Sequence, residues 1–396
     1  MAFGLVKRRP DGGTPWYHDE AKRAVAFQIL VAGLLAAALY YIISNTLSNM
    51  QTRGIASGFA FLQHKAGFGI LQSLIAYDEA DSYGRTFFVG LLNTLLVSGL
   101  GIICATALGF ILGIARLSSN WLLSRIATVY IEIFRNIPLL LQIFFWYFAV
   151  LRTLPSPRQS LVLGDMVFLN VRGLYLPAPQ FGPGMGWVLV AGFVALVAVV
   201  IMTRKVSRIR LETGREIRSW PYSLALLVLL PAAVFYAVGA PVHIDLPHLQ
   251  GFNFKGGMTV IPELAALLVA LTIYTAAFIA EIVRSGINAV GKGQTEACSA
   301  LGLSRIQALR LVIIPQAMRV IIPPLTSQFL NLTKNSSLAT AIGYPDLVSV
   351  FMGTTLNQTG QAIEIIAMTM LVYLTISLTT SFLMNQYNRK MALVER

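Results

Sequence analysis

The stretch "TEACSALGLSRIQALRLVIIP", Thr295 to Pro315, stands between two long apolar runs. Thr295 is suited to cap a first short helix, with Glu296 in the first turn, where the helix dipole favours a carboxylate. Ala297, Ala300 and Leu301 share one face by the i, i+3, i+4 rule. Gly302 stops this helix, because glycine enters the left-handed region without a Cβ penalty. Ser304 with Gln307 three residues on is a capping box that starts a second helix. Ile306, Leu309 and Ile313 form its apolar stripe, and Pro315 is expected to close it. The stretch thus reads as helix, sharp turn, helix. Its first helix, faced with Ala, Ser and Cys, is too weakly apolar to hold a bilayer surface and suits docking into a protein groove.

The flanks decide what such an elbow is attached to. Of 396 residues, 56% are hydrophobic and 12% charged, about half the charged share of a soluble domain. The chain therefore belongs in a lipid bilayer. Apolar runs of spanning length fall near residues 24–44, 86–115, 127–151, 187–203, 221–240, 260–283, 318–345 and 362–385. About 20 residues cross the hydrocarbon core as a helix, so eight helices are expected. The first follows a basic start with the length of a full span, which reads as a retained anchor rather than a cleaved leader. Pro323, Pro324, Lys334 and Gly343 interrupt the seventh and are compatible with a broken path.

The net charge of +13 reflects basic residues flanking the spans rather than a nucleic-acid surface. With the N-terminus inside, 21 Lys and Arg fall in inside segments and seven outside. This bias places both termini and the elbow in the cytoplasm. Cys104 and Cys298 stand alone, so neither a disulfide framework nor a Cys-based metal site is expected.

Several motifs carry less than they promise. "GINAVGKG", Gly286 to Gly293, ends in glycine where a phosphate loop needs Ser or Thr for Mg²⁺, and an apolar helix precedes it. It reads as a turn, and the chain is expected to hydrolyse no nucleotide itself. "HIDLPH", His243 to His248, lacks the spacing of a metal pair and reads as an exposed loop. The Pro- and Gly-rich segment from Leu154 to Gly186 reads as an extracytoplasmic linker. "GFILG", Gly109 to Gly113, has the small-xxx-small spacing that lets helices approach closely. Glu132 with Arg135, and Glu281 with Arg284, have the spacing of intrahelical ion pairs.

The order Glu296, Ala297, Cys298, Gly302, Leu303, then Val312-Ile313-Ile314-Pro315, resembles the EAA motif of ABC importer permeases. Cys298 stands where that family usually has Ala. "YTAAFIAEIVRSGINAVGKGQTEA", "PQAMRVIIPPLTSQFLNLTKNSSLATAIGYPDLV", "GLLNTLLVSGLGIICATALGFILGIARLSSN" and "YIEIFRNIPLLLQIFFWYF" resemble the polar amino-acid branch over residues 86–151 and 259–388. Size and layout look most like the larger permease of the general L-amino-acid or glutamate/glutamine uptake systems of Gram-negative bacteria.

The resemblance implies an all-α transmembrane fold of the type I ABC importer permease, in a bacterial inner membrane. It also implies a cytoplasmic ABC ATPase dimer that binds ATP and Mg²⁺, a periplasmic amino-acid-binding protein and a second permease subunit. The long insertion favours a different chain as that second subunit. The expected organisation is residues 1–85 (arm, first span and periplasmic loop), 86–152 (core, first part), 153–258 (insertion with two extra spans) and 259–396 (core, second part with the coupling loop).

Glu296, Ala297, Cys298, Gly302, Leu303 and Pro315 are then the ATPase-coupling loop. Lys334-Asn335-Ser336-Ser337 resembles the branch's Lys-Asp-Thr-Ser segment with its acid replaced by Asn335, which leaves Lys334 to face a substrate carboxylate. A Lys inside a span costs about 2.5–3.5 kcal/mol on insertion scales and so tends to face a cavity. Glu132, Arg135 and Glu281 are candidates for the cytoplasmic gate. Two other classes remain open on the sequence: a secondary transporter, which would show repeats and membrane-embedded acids, of which Glu364 is the one candidate in a late span, and a non-catalytic membrane scaffold.

Overall fold

The computed structural model describes residues 20–52, 57–214 and 218–391. Of the Lys and Arg counted above, Lys7, Arg8, Arg9, Arg53, Arg215 and Arg396 lie outside the described residues. Among the described residues, seven helices are long and apolar enough to cross a bilayer, or eight if one bent pair is a single span.

Helix α1 (Glu20–Thr52) is exposed along its described length. A 3-10 turn at Ala60–Gln63 leads toward α2 (Tyr83–Arg116), which Ser82 caps through Arg85 N–H. The third apolar run is not one straight span. Helix α3 (Trp121–Asn136) stops at Ile137, whose extended backbone is what a residue before proline adopts. Pro138 then starts α4 (Leu139–Phe144), which runs on as a π turn and a 3-10 turn to Thr153, bent 105° from α3.

The segment expected to be a linker is folded. Strands β1 (Leu161–Leu163), β2 (Val167–Asn170), β3 (Gly173–Leu176) and β4 (Ala178–Phe181) precede the hairpin of α5 (Met185–Thr213) and α6 (Trp220–Ala237). Strands β5 (Val242–Asp245), β6 (His248–Gln250), β7 (Asn253–Lys255) and β8 (Met258–Val260) follow it. All pairs are antiparallel, in sheets ordered β1-β2-β3-β8, β4-β5 and β6-β7. Pairing of β3 with β8 and of β4 with β5 joins the chain before α5 to the chain after α6, which closes the base of the hairpin. Within "HIDLPH", expected to be a loop, His243–Asp245 belong to β5 and His248 to β6, with Leu246 and Pro247 connecting them, and Asp245 accepts from Gln180 Nε2 and Gly257 N–H. Glycine and proline in these segments mark turns between short strands, not the absence of structure.

Strand β8 enters α7 (Pro262–Asn288) directly, with Pro262 in the first turn. The elbow follows as α8 (Lys292–Ala300) and α9 (Arg305–Ala308), then α10 (Ile314–Asn335), a 3-10 turn to Ile342, a π turn at Val348–Thr355, α11 (Leu356–Thr359) and α12 (Ala362–Met391). Helices α2, α7 and α10 make the centre, where Val97, Ala105, Leu271, Ile279, Ile321 and Leu332 are buried together. A second cluster of Phe61, Tyr83, Leu347, Phe351 and Ile365 fastens the connection before α2 to the chain after α10.

Close approach sets this core. A Cβ on Gly109 would sit 2.6 Å from Ile279, and one on Gly113 would sit 2.7 Å from the Ala280 carbonyl, so α2 and α7 pack nearly backbone to backbone in parallel. The end of the molecule that carries the strands and the end that carries the elbow lie at opposite ends of α7. Glu364, expected well inside a span, is instead in the first turn of α12, where its Oε1 accepts Gly58 N–H at 2.5 Å.

Candidate coupling elbow and central cavity

Helix α8 begins at Lys292 after Gly291, three residues before the expected Thr295 cap. Thr295 lies inside it, and its carbonyl accepts the Ser299 hydroxyl. The stop is as expected: Gly302 has φ +71°. Leu303 N–H reaches the Cys298 carbonyl and Gly302 N–H that of Ser299, both at 3.0 Å, a Schellman closure in which two otherwise unpaired helix carbonyls find donors. No heavy atom crowds a Cβ built on Gly302. Its constraint is therefore conformational rather than steric.

The restart is also as expected, since Ser304 N–H donates to Gln307 Oε1 at 2.9 Å and Gln307 N–H to Ser304 Oγ at 3.4 Å. Pro315 does not close the second helix. A π turn at Leu309–Ile313 absorbs the missing proline N–H, and the helix continues through α10 to Asn335. The wider turn also splits the expected stripe: Ile313 packs inward, while Ile306 is exposed.

Around the turn, Cys298 is buried and Leu303 half-buried, whereas Glu296, Ala297 and Ala300 are exposed. Leu301 is 79% and Ile306 77% exposed. Gln316 Nε2 donates to Gln294 Oε1 at 3.1 Å, so α8 is tied to the spanning helix α10. The elbow is thus an apolar knob set on two helices of the core.

Charged groups gather on α2, α3 and α7 next to this end. Arg116 meets Glu281 at 2.5 Å and Glu132 at 3.6 Å, and Arg284 meets Glu281 at 2.5 Å. The Glu281–Arg284 pair is intrahelical as expected. Glu132 instead pairs with Arg116, and Arg135 lies over the Phe278 ring at 5.2 Å. The arrangement ties α2, α3 and α7 together through the one guanidinium of Arg116.

Farther along α7 and α10 lies a cavity of about 290 Å³ lined by Tyr274, Thr275, Phe278, Gln328, Asn331, Lys334 and Asn335. Lys334 also faces a neighbouring cavity of about 480 Å³ with Ser337 and Tyr373. Among the described residues Lys334 has no ion-pair partner. Ser336 does not join it: it is buried, and its hydroxyl donates to the Thr333 carbonyl. Glu132, Arg135 and Glu281 are not in the cavity wall, although Arg135 stacks on Phe278, which is. Tyr274, Phe278, Gln328 and Asn331 were not singled out from the sequence. The carboxamides at 328, 331 and 335 nevertheless mark one polar face of α10 by helical spacing.

A helical membrane core with a capped elbow between two spans is the architecture of a transport permease. Residues 217–393 match the family described as binding-protein-dependent transport system inner membrane component. The chain is 59% identical, over 97% of its length and 98% of the relative's, to the putative amino-acid ABC transporter permease protein YhdX of Escherichia coli (strain K12). It is 49% identical, over all of both chains, to the general L-amino acid transport system permease protein AapQ of Rhizobium johnstonii. The glutamate/glutamine/aspartate/asparagine transport system permease protein BztB of Rhodobacter capsulatus is 44% identical over 96% of each chain. The chain belongs to the binding-protein-dependent ABC permease family and is a multi-pass inner-membrane protein.

Proposed function

We propose that this chain is the larger of two non-identical permease subunits of an ATP-driven importer for polar and general L-amino acids. A periplasmic binding protein delivers the amino acid to the strand-bearing end, and a cytoplasmic ABC ATPase dimer holds the elbow. ATP and Mg²⁺ are bound by that dimer, and this chain performs no hydrolysis. The bias of basic residues toward the elbow side supports this orientation, with both termini cytoplasmic.

The observation that carries the reading is the knob of Leu301 and Ile306, exposed on either side of left-handed Gly302 and fixed to α7 and α10. Glu296, Ala297, Cys298, Gly302, Leu303 and Pro315 form the coupling loop. When the ATPase subunits close, they pull the elbow; its rigid turn passes the displacement to α7 and α10, which line the cavity. Lys334 holds the substrate carboxylate there, with Asn335 and Ser337 beside it and Ser336 shaping the backbone behind. The Arg116, Glu132, Glu281 and Arg284 cluster, with Arg135 on Phe278, gates the cytoplasmic exit. The four domains keep the boundaries given above, the insertion at 153–258 acting as a folded extracytoplasmic cap on two extra spans.

The test is reconstitution with ATPase, second permease and binding protein, and labelled amino acids. Vanadate-sensitive uptake that depends on the binding protein is expected. Uptake driven by an ion gradient without ATP would make the chain a secondary transporter, and no uptake with any amino acid would leave a scaffold.

A further inference from the structure

The largest cavity among those described, about 670 Å³, lies at the strand-bearing end, between the insertion and the core. Arg152, Arg172, Glu263, Gln72, Asn253 and Tyr175 line it. They come from the chain after α4, the turn before β3, the first turn of α7, the connection before α2, β7 and β3.

Tyr147 organises its charges. Its hydroxyl donates to Glu263 Oε1 at 2.7 Å and accepts from Arg152 at 3.0 Å, with the Arg152 guanidinium 5.1 Å from the same ring. Among the described residues the Arg172 guanidinium donates once, to the Phe252 carbonyl at 3.0 Å. A guanidinium has five N–H groups, so both retain donors for a ligand. Glu263 keeps Oε2 as an acceptor. Tyr175 and Phe254, buried with rings 4.6 Å apart, give one wall an apolar surface.

The geometry points to a second binding site in this cavity for an amino acid with an acidic side chain, a place where cargo waits before entering the membrane. The charge inventory argues for this class. Two guanidiniums and one carboxylate complement two carboxylates and one ammonium, and a guanidinium fork matches a carboxylate geometrically. A simple polyanion would meet Glu263, and a neutral solute would leave both guanidiniums unanswered. The volume falls within the usual range of small-molecule sites. Calling the ligand cargo rests on the importer reading; the site itself rests on the cavity.

The experiment uses the complete assembly without its binding protein, carrying Cys104→Ser, Cys298→Ala and Ser73→Cys. Ser73 lines the cavity, and its labelling by a small uncharged maleimide is timed with L-glutamate, L-glutamine or an equal ionic strength of NaCl. Glutamate is expected to slow labelling about tenfold more than glutamine, the discrimination of one charge-assisted hydrogen bond. Arg152→Gln or Arg172→Gln should abolish that protection, and Arg172→Lys should restore part of it. Because Arg172 also holds a backbone carbonyl, unprotected labelling in the variants counts only where its rate matches that of the unsubstituted arginines. Labelling indifferent to glutamate, or slowed equally by NaCl, overturns the site. Uptake is measured alongside in the assembly of the unsubstituted chain with its binding protein restored: uptake without protection removes only this site, whereas no uptake removes the importer reading.

Discussion

The seam of α2 with α7 and the hairpin of α5 with α6 are both helix pairs in a membrane protein, but they are held by different means. Helices α2 and α7 are far apart in sequence and lie in parallel, and their contact depends on the missing side chains of Gly109 and Gly113. Helices α5 and α6 are neighbours in sequence, and a Cβ on Gly192 would meet Pro231 at 4.0 Å, an ordinary contact. Strand pairing already closes the base of the hairpin. A pair joined locally tolerates loose packing, whereas a pair assembled from distant segments needs a shape that selects it.

The sharpest way to break this contrast is to place the same side chain in both seams. Gly109→Val puts atoms inside Ile279 and should abolish recovery of a folded, monodisperse protein, as overpacking beyond what relaxation absorbs does. Gly192→Val should lower the melting temperature by only a few degrees, the effect of roughly 1 kcal/mol in a domain of 150–250 residues. Equal losses would mean that both seams are equally tight.

A smaller effect on folding but a large one on transport is expected at Lys334. Lys334→Met removes the cation from the cavity wall, so uptake should fall about tenfold or more while yield is kept or improved, because a charge at the end of a spanning helix no longer needs accommodating in the bilayer. Uptake unchanged from wild type would take Lys334 out of the substrate path.

Asp346, in the connection between the spans of α10 and α12, is buried and accepts Ser349 N–H and, at 3.4 Å, the Tyr373 hydroxyl. Burial pushes its carboxyl up to about 7, against about 3.9 in an unfolded chain. Between those values the folded chain keeps a proton that the unfolded chain has lost, so stability falls as pH rises from about 4 through about 7 and then levels. Asp346→Asn should flatten that part of the melting curve against pH. A slope unchanged by the substitution would place the titration elsewhere.

The smallest effect belongs to the hairpin. Arg208 and Glu212 pair at 2.8 Å with both side chains well exposed, and Arg208→Ala should change stability by no more than about 0.5 kcal/mol. A larger loss by thermal melting would show that the hairpin depends on more than its apolar surface.

What was legible in the sequence follows the same division. Gly302 and the Ser304–Gln307 box were readable because each acts within a turn of itself, and Gly109 with Gly113 because their spacing alone places them on one face. The sheets were not. Leu174 pairs with Val260 and Ala178 with Asp245 across an intervening pair of spans, and strands of three or four residues are too short for alternation to declare them. The continuation through Pro315 also escaped, because a π turn is a tertiary remedy for a residue that locally says stop. In the cavity, the polar face of Gln328, Asn331 and Asn335 was present in the sequence; only the packing of α7 against α10 supplies Tyr274 and Phe278 opposite it.

The account turns on whether the left-handed turn at Gly302 transmits force. In the reconstituted assembly, Gly302→Val places a β-branched residue at φ +71° without filling any occupied space. The quantity to measure is the number of amino acids imported per ATP hydrolysed. The account predicts normal insertion and continued ATP hydrolysis, with that ratio falling about tenfold or more. A ratio equal to wild type would contradict it.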